Sequence, residues 1–523
     1  MSQTLHDLAE ALRRAGLLRT APAVNPALSG ITADSRNVRP GMIYVAVRGS
    51  QADGHRFLGD AIGRGAAAVV VERLDGVTVP ALEVEDGRRA ALVLGRAWHG
   101  DPATKLTLLG VTGTNGKTTT TALVRHLFNG SGKAGSIGTL GAFDGAGRAV
   151  ESTAGSLTTP GPIDLQATFA TLVARGVTHV AMETSSHSLD QGRLEGLSFA
   201  AGIFTNLTRD HLDYHRTMEA YAEAKYKLFG ARGLRHAVIN VDDEWGRTFA
   251  ARLKGGPLEV ITYGTSRPRE GGRPREGGRP REGGDPVSAN DALGPRLRGD
   301  DIRLSEDGVR FRVESEWGAG EVRAAVLGAF NVSNLLAALG ALLAQGIAFD
   351  RAIEAVSALE PVPGRLERLG GGELPLTVID YAHTPDALEK ALQALRPAVA
   401  PGRRLVCVFG CGGDRDPGKR ALMAQAAARL ADHVVVTSDN PRGEDPHAII
   451  AQIVAGLGAR SAEAIEDRQV AIFSAVHHAR PGDVVLLAGK GHETYQEIAG
   501  VRHPFSDREV AGAALSEWGR AKP

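Results

Sequence analysis

The chain has 523 residues, of which 23% are charged and 43% are hydrophobic, as in ordinary soluble globular proteins. Lys and Arg together number 60, as do Asp and Glu, so the formal net charge is zero. This balance argues against a general nucleic-acid binder and against attachment to anionic membranes, because both depend on a surplus of basic side chains. At roughly 150 residues per domain, the length predicts about three domains.

The N-terminal segment and the cysteines indicate a cytosolic protein. The opening MSQTLHDLAEALRRAGLL carries charges throughout and lacks the apolar core of a signal peptide. No run of about 18 apolar residues occurs, so we expect no membrane-spanning helix. Cys407 and Cys411 are spaced C-x3-C, unlike common metal and redox motifs, so we expect two reduced, half-buried thiols. We therefore expect a cytoplasmic protein that binds no nucleic acid and does not insert into membranes.

Residues 1–106 are predicted to form a small α/β domain. GMIYVAVRG is a strand bounded by glycines, and FLGDAIGRGAAAVVVE reads as a helix, a glycine break and a strand. GRRAALVLGRAWHGDPAT is a helix that ends in a Gly/Pro hinge, which predicts a domain boundary there.

Two larger α/β domains are predicted to follow, over residues 107–362 and 363–523. The runs LTLLGV, HVAME, AAGIFT and HAVIN are short and almost wholly apolar, which is typical of strands buried on both faces of a parallel sheet. Helical segments lie between them, so we expect a doubly wound α/β domain. EPVPGRLERL supplies a linker near 361–364, and LTVIDYA, RRLVCVFGCGG, HVVVTSD and DVVLLAGK predict a second, Rossmann-like sheet.

Residues 267–284 are three copies of the hexapeptide RPREGG. Gly and Pro dominate the segment, and apart from the prolines it has no apolar side chain. Such a segment cannot bury enough surface to offset the entropy lost on ordering. We therefore expect a disordered surface insertion that extends to about Asp300; the alternative is a basic arm that touches phosphate or RNA.

The stretch GVTGTNGKTTTT is predicted to bind the phosphates of a nucleotide. An apolar strand, residues 105–111, leads into the glycines, and the threonines open a helix. The loop departs from the pattern G-x-x-x-x-G-K-[ST], because Val111 stands where the first glycine would be. Amides at such a turn cradle phosphate, the lysine meets the β- and γ-phosphates, and a hydroxyl meets Mg²⁺. The alternative is a glycine-rich turn with a chance lysine. The predicted ATP-binding residues of the loop are Gly113, Thr114, Asn115, Gly116, Lys117, Thr118 and Thr119.

Acidic and imidazole groups that could serve the metal follow in two later motifs. A P-loop enzyme needs an acid for its metal, often at the end of a neighbouring strand, and Glu183 ends the strand HVAME. In FTNLTRDHLDYH, His211 and His215 are four residues apart, so zinc is conceivable if the segment is helical. No third zinc ligand lies at motif spacing, and a divalent cation shared with phosphate and Glu183 is the simpler role for His211. A helix-capping Asp-His loop is the other alternative.

Two further groups of polar residues lie on predicted helices and strand ends. In AYAEAKYKLF, Lys225 and Lys227 alone would indicate an amphipathic helix with solvated lysines. In the last domain, charged loops follow four strands, and in an open α/β sheet such loops converge on one site. Two arginines and a carboxylate there suit a zwitterion, because guanidinium groups bind a carboxylate and Glu493 can face an ammonium. The alternative is scattered surface charge. The loop residues are Asp380, His383, Arg415, Asp439, Asn440, Arg442, Gly489, Lys490 and Glu493.

Together these motifs strongly resemble the Mur ligase family. GVTGTNGKTTT, AMETSSHSLDQGR, FTNLTRDHLDYH, AEAKYKLF, GAFNVSN, DYAHTPDAL, FGCGGDRD, DNPR and GKGHE occur in order and cover the chain except for about 267–300. The first four also resemble folylpolyglutamate synthases. ADSRNVRPGMIYVAVRGSQADGH and DNPR narrow the resemblance to members that add meso-2,6-diaminopimelate to UDP-N-acetylmuramoyl-L-alanyl-D-glutamate.

The resemblance implies three domains, each with its own ligand. The first holds the UDP end of the nucleotide-sugar, the central one is the ATPase, and the last binds the amino acid. Leu157 departs from the family pattern, since a relative has asparagine there. The positions that match substrate contacts are Ser35, Ser50, Gln51 and Ala52 for UDP, and Thr158, Thr159, Ser185, Gln191 and Arg193 for the muramoyl-peptide. Those that match the nucleotide side are Asn331, Arg365, Asp380 and His383, and those for diaminopimelate are Arg415, Asp439, Asn440, Pro441, Arg442, Gly489 and Glu493.

The resemblance also implies the chemistry. Lys225 matches a lysine that is carbamylated in the family, and N6-carboxylysine can ligate Mg²⁺ together with Thr118, Glu183 and His211. ATP would phosphorylate the D-glutamyl γ-carboxylate, and an amine of diaminopimelate would displace the phosphate. The expected catalytic residues are Lys117, Glu183, His211 and Lys225, in a monomer. The alternatives are a ligase of the same fold that adds L-lysine, a folylpolyglutamate-type ligase, and a P-loop binding protein without ligase activity.

Overall fold

The structure, a computed structural model, describes residues 3–49, 52–131, 133–151, 157–265, 295–305, 307–359, 362 and 364–520. The predictions for Ser50, Gln51 and the RPREGG repeats lie outside the described residues. The chain divides into two compact units. The first is built mainly from Met1–Gly264 and Ala337–Ile347, and the second mainly from Leu297–Leu336 and Ala348–Pro523.

The first unit begins with a five-stranded sheet of order β2-β7-β6-β5-β4, parallel except for β2. Helix α1 begins at a capping box in which Thr4 and Asp7 satisfy each other's amides, a strong start signal. Buried aliphatic residues of α1 and α3 pack on the sheet, and Ile163 of a later helix joins this core. The elements are β1 Gln3–Thr4, α1 Leu5–Arg14, β2 Leu18–Thr20, β3 Ala27–Leu28, β4 Gly30–Thr32, β5 Met42–Val45, α2 Leu58–Gly63, β6 Ala68–Val71, β7 Ala81–Val84 and α3 Gly87–His99.

A second sheet in the same unit has the order β11-β10-β9-β12-β8-β13-β14-β15. The strands from β9 to β15 in this order run parallel, and β10 and β11 are antiparallel additions at the edge. The parallel strands are buried along almost their whole length, as their continuous apolar runs predicted. The elements are β8 Thr107–Thr112, α4 Lys117–Leu127, β9 Ala134–Gly138, β10 Gly141–Phe143, β11 Ala149–Val150, α5 Pro162–Ala174, β12 His179–Glu183, α6 Ser186–Asp190, β13 Phe199–Phe204, α7 Leu212–His215, α8 Met218–Tyr226, β14 His236–Asn240, α9 Glu244–Leu253 and β15 Glu259–Thr265.

The second unit contains an antiparallel meander, β16-β17-β18, and a six-stranded sheet of order β19-β20-β24-β21-β22-β23. In the six-stranded sheet only β19 is antiparallel, and apolar clusters cover both faces. The elements from here on are β16 Leu297–Ser305, β17 Gly308–Ser315, β18 Gly318–Ala324, α10 Phe330–Ala344, α11 Phe349–Ser357, β19 Glu367–Gly370, β20 Leu376–Asp380, α12 Pro385–Leu395, β21 Leu405–Phe409, α13 Gly418–Leu430, β22 His433–Val436, α14 Pro446–Gly456, β23 Glu463–Ala464, α15 Arg468–His477, β24 Val484–Ala488, β25 Tyr495–Ile498, β26 Val501–Pro504 and α16 Asp507–Arg520.

Two sequence predictions need correction. The insertion does not extend to Asp300, because β16 begins at Leu297 and the side chain of Leu297 is fully buried. Cys407 and Cys411 are free thiols, as expected, but they are buried rather than half-buried. Burial raises the pKa of each thiol to about 12, which makes them unreactive at neutral pH. Among the described helices, none combines the length and the apolar character needed to cross a membrane.

Candidate active site

The glycine-rich loop connects β8 to α4 as the sequence predicted. Gly116 takes a left-handed conformation (φ 82°) at the N-cap of α4. At Gly113, a Cβ atom would lie 1.9 Å from the hydroxyl oxygen of Thr205, so only glycine fits there. The amides of Thr114 and Asn115 donate to the backbone and side-chain oxygens of Asn206, which follows β13. The end of β13 therefore holds the loop in place.

Two lysine ammonium groups meet at this loop. Lys117 donates to the carbonyls of Gly113 (3.0 Å) and Thr114 (2.8 Å), and Lys225 of α8 donates to the Gly113 carbonyl at 2.6 Å. The side chain of Lys225 is 1% exposed and lies 4.4 Å from the ring centre of Tyr221. Burial, and after it the positive charge of Lys117, lowers the pKa of Lys225 well below its ordinary value. The site therefore favours a neutral amine at Lys225.

The alternative of solvated lysines on α8 is wrong for Lys225. It fits Lys227, which is half-exposed and pairs with Asp190 at 2.7 Å. Within the described part of the chain, Lys225 forms no ion pair. A neutral, buried amine beside a phosphate loop is the form of lysine that can react with CO₂ to give a carbamate.

Glu183 lies at the end of β12, one strand away from the loop. Its two carboxylate oxygens accept from the backbone amide (2.8 Å) and the hydroxyl (3.2 Å) of Thr139. The side chain is 1% exposed and has no cationic partner among the residues that the structure describes. A buried carboxylate without a counter-ion suits a metal ligand, since an unpaired buried charge is otherwise costly. The donor set fits Mg²⁺, which prefers oxygen ligands.

The histidines of FTNLTRDHLDYH do not form a zinc site. His211 has a left-handed backbone (φ 52°) at the start of α7, and its side chain makes no capping hydrogen bond. His215 is buried, its Nε2 lies 3.0 Å from the hydroxyl of Ser186, and burial lowers its pKa to about 4. In the described ranges, no group of three or more His, Cys, Asp or Glu side chains is placed to hold a metal. The predicted Mg²⁺ ligands include only two side chains of these four types, Glu183 and His211. The absence of a group of three therefore leaves the predicted Mg²⁺ site open.

A cavity of about 580 Å³ in the first unit collects most of the predicted substrate residues. Its walls come from the loops after β4 and β5, from α3, and from residues 157–164 around the start of α5. The loops after β12 and β13, and α4 and α8 with the two active-site lysines, complete them. The described predicted residues of this unit that are not part of the wall are Ser35, Gly113, Thr114, Asn115, Gly116, Thr118, Thr119 and Glu183, although Ala33 near Ser35 is. The predicted residues that line it are Ala52, Lys117, Thr158, Thr159, Ser185, Gln191, Arg193, His211 and Lys225, together with Leu157.

Hydrogen bonds connect the wall of this cavity to the end of β12, the strand that carries Glu183. The hydroxyl of Thr159 donates to the carbonyl of Glu183 at 2.8 Å, and Arg193 donates to the carbonyl of Thr159 at 2.7 Å. Ser185 caps α6 by accepting from the amide of Ser188. Substrate contacts at this wall are therefore rigidly linked to the end of β12.

In the second unit, the residues predicted to contact the nucleotide fall into two groups: Asn331 in α10, and Arg365, Asp380 and His383 near Tyr381. The side chain of Asn331 is buried and donates to the carbonyl of Leu327 at 2.7 Å. Asp380 accepts from two backbone amides, and burial raises its pKa. The guanidinium of Arg365 lies 5.0 Å from the ring centre of Tyr381, and His383 contacts the same ring edge-on. Tyr381 was not predicted, and it joins Arg365 to His383.

The predicted amino-acid loops of the second unit form a buried charge cluster around Lys490. Its ammonium donates to Asn440 Oδ1 (3.0 Å) and Glu493 Oε2 (3.2 Å), and it lies 3.5 Å from Asp439 Oδ1. The amide of Asn440 also donates to Glu493 at 2.8 Å. Lys490 is fully buried, so this cluster sets the positions of both carboxylates. Gly489 (φ 116°) makes the turn between β24 and Lys490.

Both predicted arginines of this region lie beside Gly412. A Cβ atom at Gly412 would be 2.8 Å from a terminal nitrogen of Arg442 and 3.9 Å from the Cγ of Arg415. Arg442 donates to the carbonyl of Gly413 and has a left-handed backbone (φ 52°) that follows Pro441. The strand β25 holds this conformation, because the Arg442 amide donates to the carbonyl of Glu497.

Sequence reasoning missed two sets of residues. Arg48 and Arg88 line the cavity of the first unit, but nothing in the stretch EDGRRA distinguishes Arg88 from its neighbour. In the second unit, Arg468 is fully buried, pairs with Asp507 at 2.6 Å and donates to the carbonyl of Ala488. A helical pattern with apolar positions on one face would have indicated the burial of Arg468, but not its partner, which lies 39 residues away.

Family models match three parts of the chain. The Mur ligase family catalytic domain matches residues 27–99, the Mur ligase middle domain matches 111–342, and the Mur ligase glutamate ligase domain matches 364–491. These matches and the sheets confirm the predicted three-domain α/β fold with a central P-loop domain.

Curated relatives match almost the whole chain. UDP-N-acetylmuramoyl-L-alanyl-D-glutamate–2,6-diaminopimelate ligase of Chromobacterium violaceum is 45% identical over 94% of this chain and 94% of its own length. The protein of the same name from Pseudomonas aeruginosa is 47% identical, over 93% of this chain and 95% of its own. A solved structure of a ligase of that name is 34% identical, with a TM-score of 0.64, and covers 99% of this chain and 100% of that one. The chain belongs to the Mur ligase family.

Proposed function

We propose that this Mur ligase joins meso-2,6-diaminopimelate to the D-glutamyl γ-carboxylate of UDP-N-acetylmuramoyl-L-alanyl-D-glutamate, at the expense of ATP, in the synthesis of peptidoglycan precursors. The observation that carries the proposal is the single cavity that connects Ala52 with the wall at Thr159 and with Lys117. A long nucleotide-sugar peptide that enters at the five-stranded sheet would present its carboxylate at the phosphate loop. The names of the relatives at 45% and 47% identity support this choice of substrates.

In the first step, the γ-carboxylate attacks the γ-phosphorus of ATP, and ADP leaves. Negative charge then spreads over the transferring phosphoryl group. Lys117 and those amides of the loop after β8 that do not donate to Asn206 would stabilise this charge by hydrogen bonds to the phosphate oxygens. When bound, Mg²⁺ would be held by Thr118, Glu183, His211 and a carbamate at Lys225, and it would neutralise phosphate charge.

In the second step, the uncharged amine of the amino acid attacks the acyl carbon of the acyl phosphate. The amide bond forms, inorganic phosphate leaves with the bonding electrons, and the amine loses a proton. Asp439 and Glu493 would receive the ammonium of the incoming amino acid, because Lys490 holds both carboxylates in place. Bringing the reactants together supplies much of the acceleration.

The second unit offers a reason for selecting diaminopimelate over lysine. Diaminopimelate carries a carboxylate at its far end that lysine lacks. We assign its recognition to Arg442 and Arg415, which both lie beside Gly412. Lysine would leave a guanidinium without a partner, and such a loss costs about 2–5 kcal/mol.

The domain assignment of the proposal follows the predicted boundaries. Residues 1–106 would bind the UDP end, 107–362 would bind ATP, and 363–523 would bind the amino acid, in a cytoplasmic monomer. Asn331, Arg365, Asp380 and His383 would contact the nucleotide, with Arg365 held over Tyr381.

A product assay tests this function. The enzyme would receive ATP, Mg²⁺ and UDP-N-acetylmuramoyl-L-alanyl-D-glutamate with either meso-diaminopimelate or L-lysine, while ADP and product mass are followed. We expect a tripeptide product with diaminopimelate. Absence of product with either amino acid would overturn the ligase assignment, and faster turnover with lysine would overturn the role of the arginines. Glutamate addition to a folate in the same assay would indicate a folylpolyglutamate-type ligase.

A further inference from the structure

The cavity of the first unit has a strong excess of positive charge. Asp164 is the one carboxylate among its described lining residues. The cationic side chains in the wall are Arg48, Arg88, Lys117 and Arg193; Lys225 also lines it, but a neutral amine adds no charge. Arg48 is compensated, because its Nε lies 3.0 Å from a carboxylate oxygen of Glu72. Two of the arginines in the wall, in contrast, have no acidic partner among the described residues.

Arg88 is one of these residues. Its Nε donates to the carbonyl of Arg48 at 2.7 Å, and it forms no ion pair with any residue that the structure describes. The backbone amides around it are already taken, since Asp86 accepts from the amides of Arg88 (2.8 Å) and Arg89 (3.0 Å). Only the terminal nitrogens of the Arg88 guanidinium are thus available to a ligand.

Arg193 follows α6, lines the same cavity and is also unpaired by any carboxylate in the described ranges. It donates to the carbonyl of Thr159, but its buried Nε has no hydrogen-bond partner. Burial is the main cause that lowers the pKa of Arg193, and the positive charge of Arg88 lowers it further. Two like charges that act on each other across a cavity favour an anion between them.

The position of Arg88 indicates which anion it meets. Its hydrogen bond to Arg48 attaches it to the segment that leads into Gly49, and Arg48, Gly49 and Ala52 all line the cavity. Lys117 of the phosphate loop lines the same cavity from a different element, the start of α4. The substrate that we propose has a diphosphate next to its uridine, whereas its carboxylates lie further along, toward the peptide. The diphosphate is therefore the anion nearest to Arg88.

The fold holds Arg88 in this place rigidly. Helix α3 packs against α5, and a Cβ atom at Gly95 of α3 would lie 3.1 Å from the Cα of Ile163. Ala91, three residues after Arg88, lines the cavity too, as expected for one face of a helix. Arg89 is not among the residues that line the cavity.

We infer that Arg88 binds the diphosphate of the nucleotide-sugar and makes the enzyme selective for substrates that carry it. This inference rests on the proposed function. Arg193 adds to the same positive potential. A guanidinium suits the task, because it donates two parallel hydrogen bonds to phosphate oxygens.

Steady-state kinetics of Arg88→Ala, Arg88→Lys and the control Arg89→Ala test the inference on the full chain. For Arg88→Ala we expect KM for the nucleotide-sugar to rise about 10-fold, with kcat and the KM values for ATP and the amino acid within about twofold. Arg88→Lys should recover part of the loss. Arg89 is adjacent to Arg88 and is also exposed, so the kinetic constants of Arg89→Ala should match those of the wild type. Because a charge contact is lost, KM should also depend less on salt in Arg88→Ala.

Inhibition by UDP and by uridine separates the diphosphate from the rest of the substrate. Arg88→Ala should weaken inhibition by UDP about 10-fold and leave inhibition by uridine unchanged. Equal weakening for both, or behaviour of Arg88→Ala like that of Arg89→Ala, would overturn the inference. Equilibrium binding of UDP and uridine gives the same comparison even if no tripeptide forms, so failure of the proposed function is distinguishable. If Arg88→Ala fails to fold, Arg88→Lys carries the comparison.

Discussion

The cavity of the first unit and the charge cluster of the second unit handle their charges in opposite ways. In the cavity, Arg88 and Arg193 face open space without an acidic partner in the described chain. In the cluster, Lys490 lies among Asn440, Asp439 and Glu493, with each distance at 3.5 Å or less. The arginines of the cavity can therefore pair with an anionic ligand, whereas Lys490 of the cluster is already paired within the protein.

This difference suggests two modes of recognition. Unpaired cations at an open cavity attract an anionic substrate over a distance, and salt weakens that attraction. Buried, paired charges respond little to salt, but removing one partner leaves the other unpaired in a medium of low dielectric constant. We therefore expect nucleotide-sugar binding to depend on ionic strength more strongly than amino-acid selection does.

Lys225 is the largest exception to this comparison, because it is a buried lysine without an acidic partner in the described residues. We expect Lys225→Arg to lower kcat by about 10³-fold or more, since arginine stays charged and cannot form a carbamate. The matched control is Lys227→Arg on the same helix, which should stay close to wild-type activity because Lys227 pairs with Asp190 at the surface. The intact mass of the wild-type protein should include one added CO₂, and the mass of Lys225→Arg should not. Wild-type activity in Lys225→Arg would contradict the carbamate.

The pair of Arg468 and Asp507 tests how much the second region depends on its internal charges. Both side chains are fully buried. Asp507→Asn should lower the free energy of unfolding by about 3 kcal/mol, because the guanidinium is left buried without its counter-charge. Arg351→Ala removes an exposed pair with Glu354 and should cost less than about 1 kcal/mol. Denaturant unfolding of both variants measures the difference, and equal effects would show that burial does not decide the cost.

Arg442 tests how the second unit recognises the amino acid. Arg442→Ala should raise KM for diaminopimelate about 10²-fold, because the far carboxylate loses its partner. KM for ATP and for the nucleotide-sugar should stay near wild type. Equal damage to the use of all three substrates would mean that Arg442 supports the structure rather than the amino acid.

The repeat segment should matter least. A deletion of residues 267–284 removes no apolar side chain other than prolines, so we expect kcat and KM for all three substrates to stay near wild type. Steady-state kinetics of the deletion variant measure this. A large loss of activity would show that the segment has a role in binding or catalysis.

The sequence predicted the fold better than the site. Strands such as β8 and β14 are continuous apolar runs, and such runs predict burial on both faces of a sheet. The glycine loop was predictable because its backbone needs glycine at Gly113. The strand at Leu297 was missed, because it follows directly on a segment of low complexity.

The polar environment of the site could not be predicted because tertiary contacts decide it. Arg88 and Arg89 are adjacent arginines on the same helix, and the sequence does not distinguish them. Only the packing of α3 decides that Arg88 lines the cavity and Arg89 does not. Lys225 looks like any lysine on an amphipathic helix until the Gly113 carbonyl and the Tyr221 ring enclose its ammonium. Both distinctions need the positions of elements that are distant in sequence.

A competition experiment tests the central claim most directly. The enzyme receives ATP, Mg²⁺ and UDP-N-acetylmuramoyl-L-alanyl-D-glutamate with meso-diaminopimelate and L-lysine at equal concentration, and mass spectrometry gives the ratio of the two tripeptides. That ratio equals the ratio of the two kcat/KM values. We predict that the diaminopimelate product exceeds the lysine product by about 10²-fold or more. Comparable amounts, an excess of the lysine product, or no tripeptide at all would contradict the account.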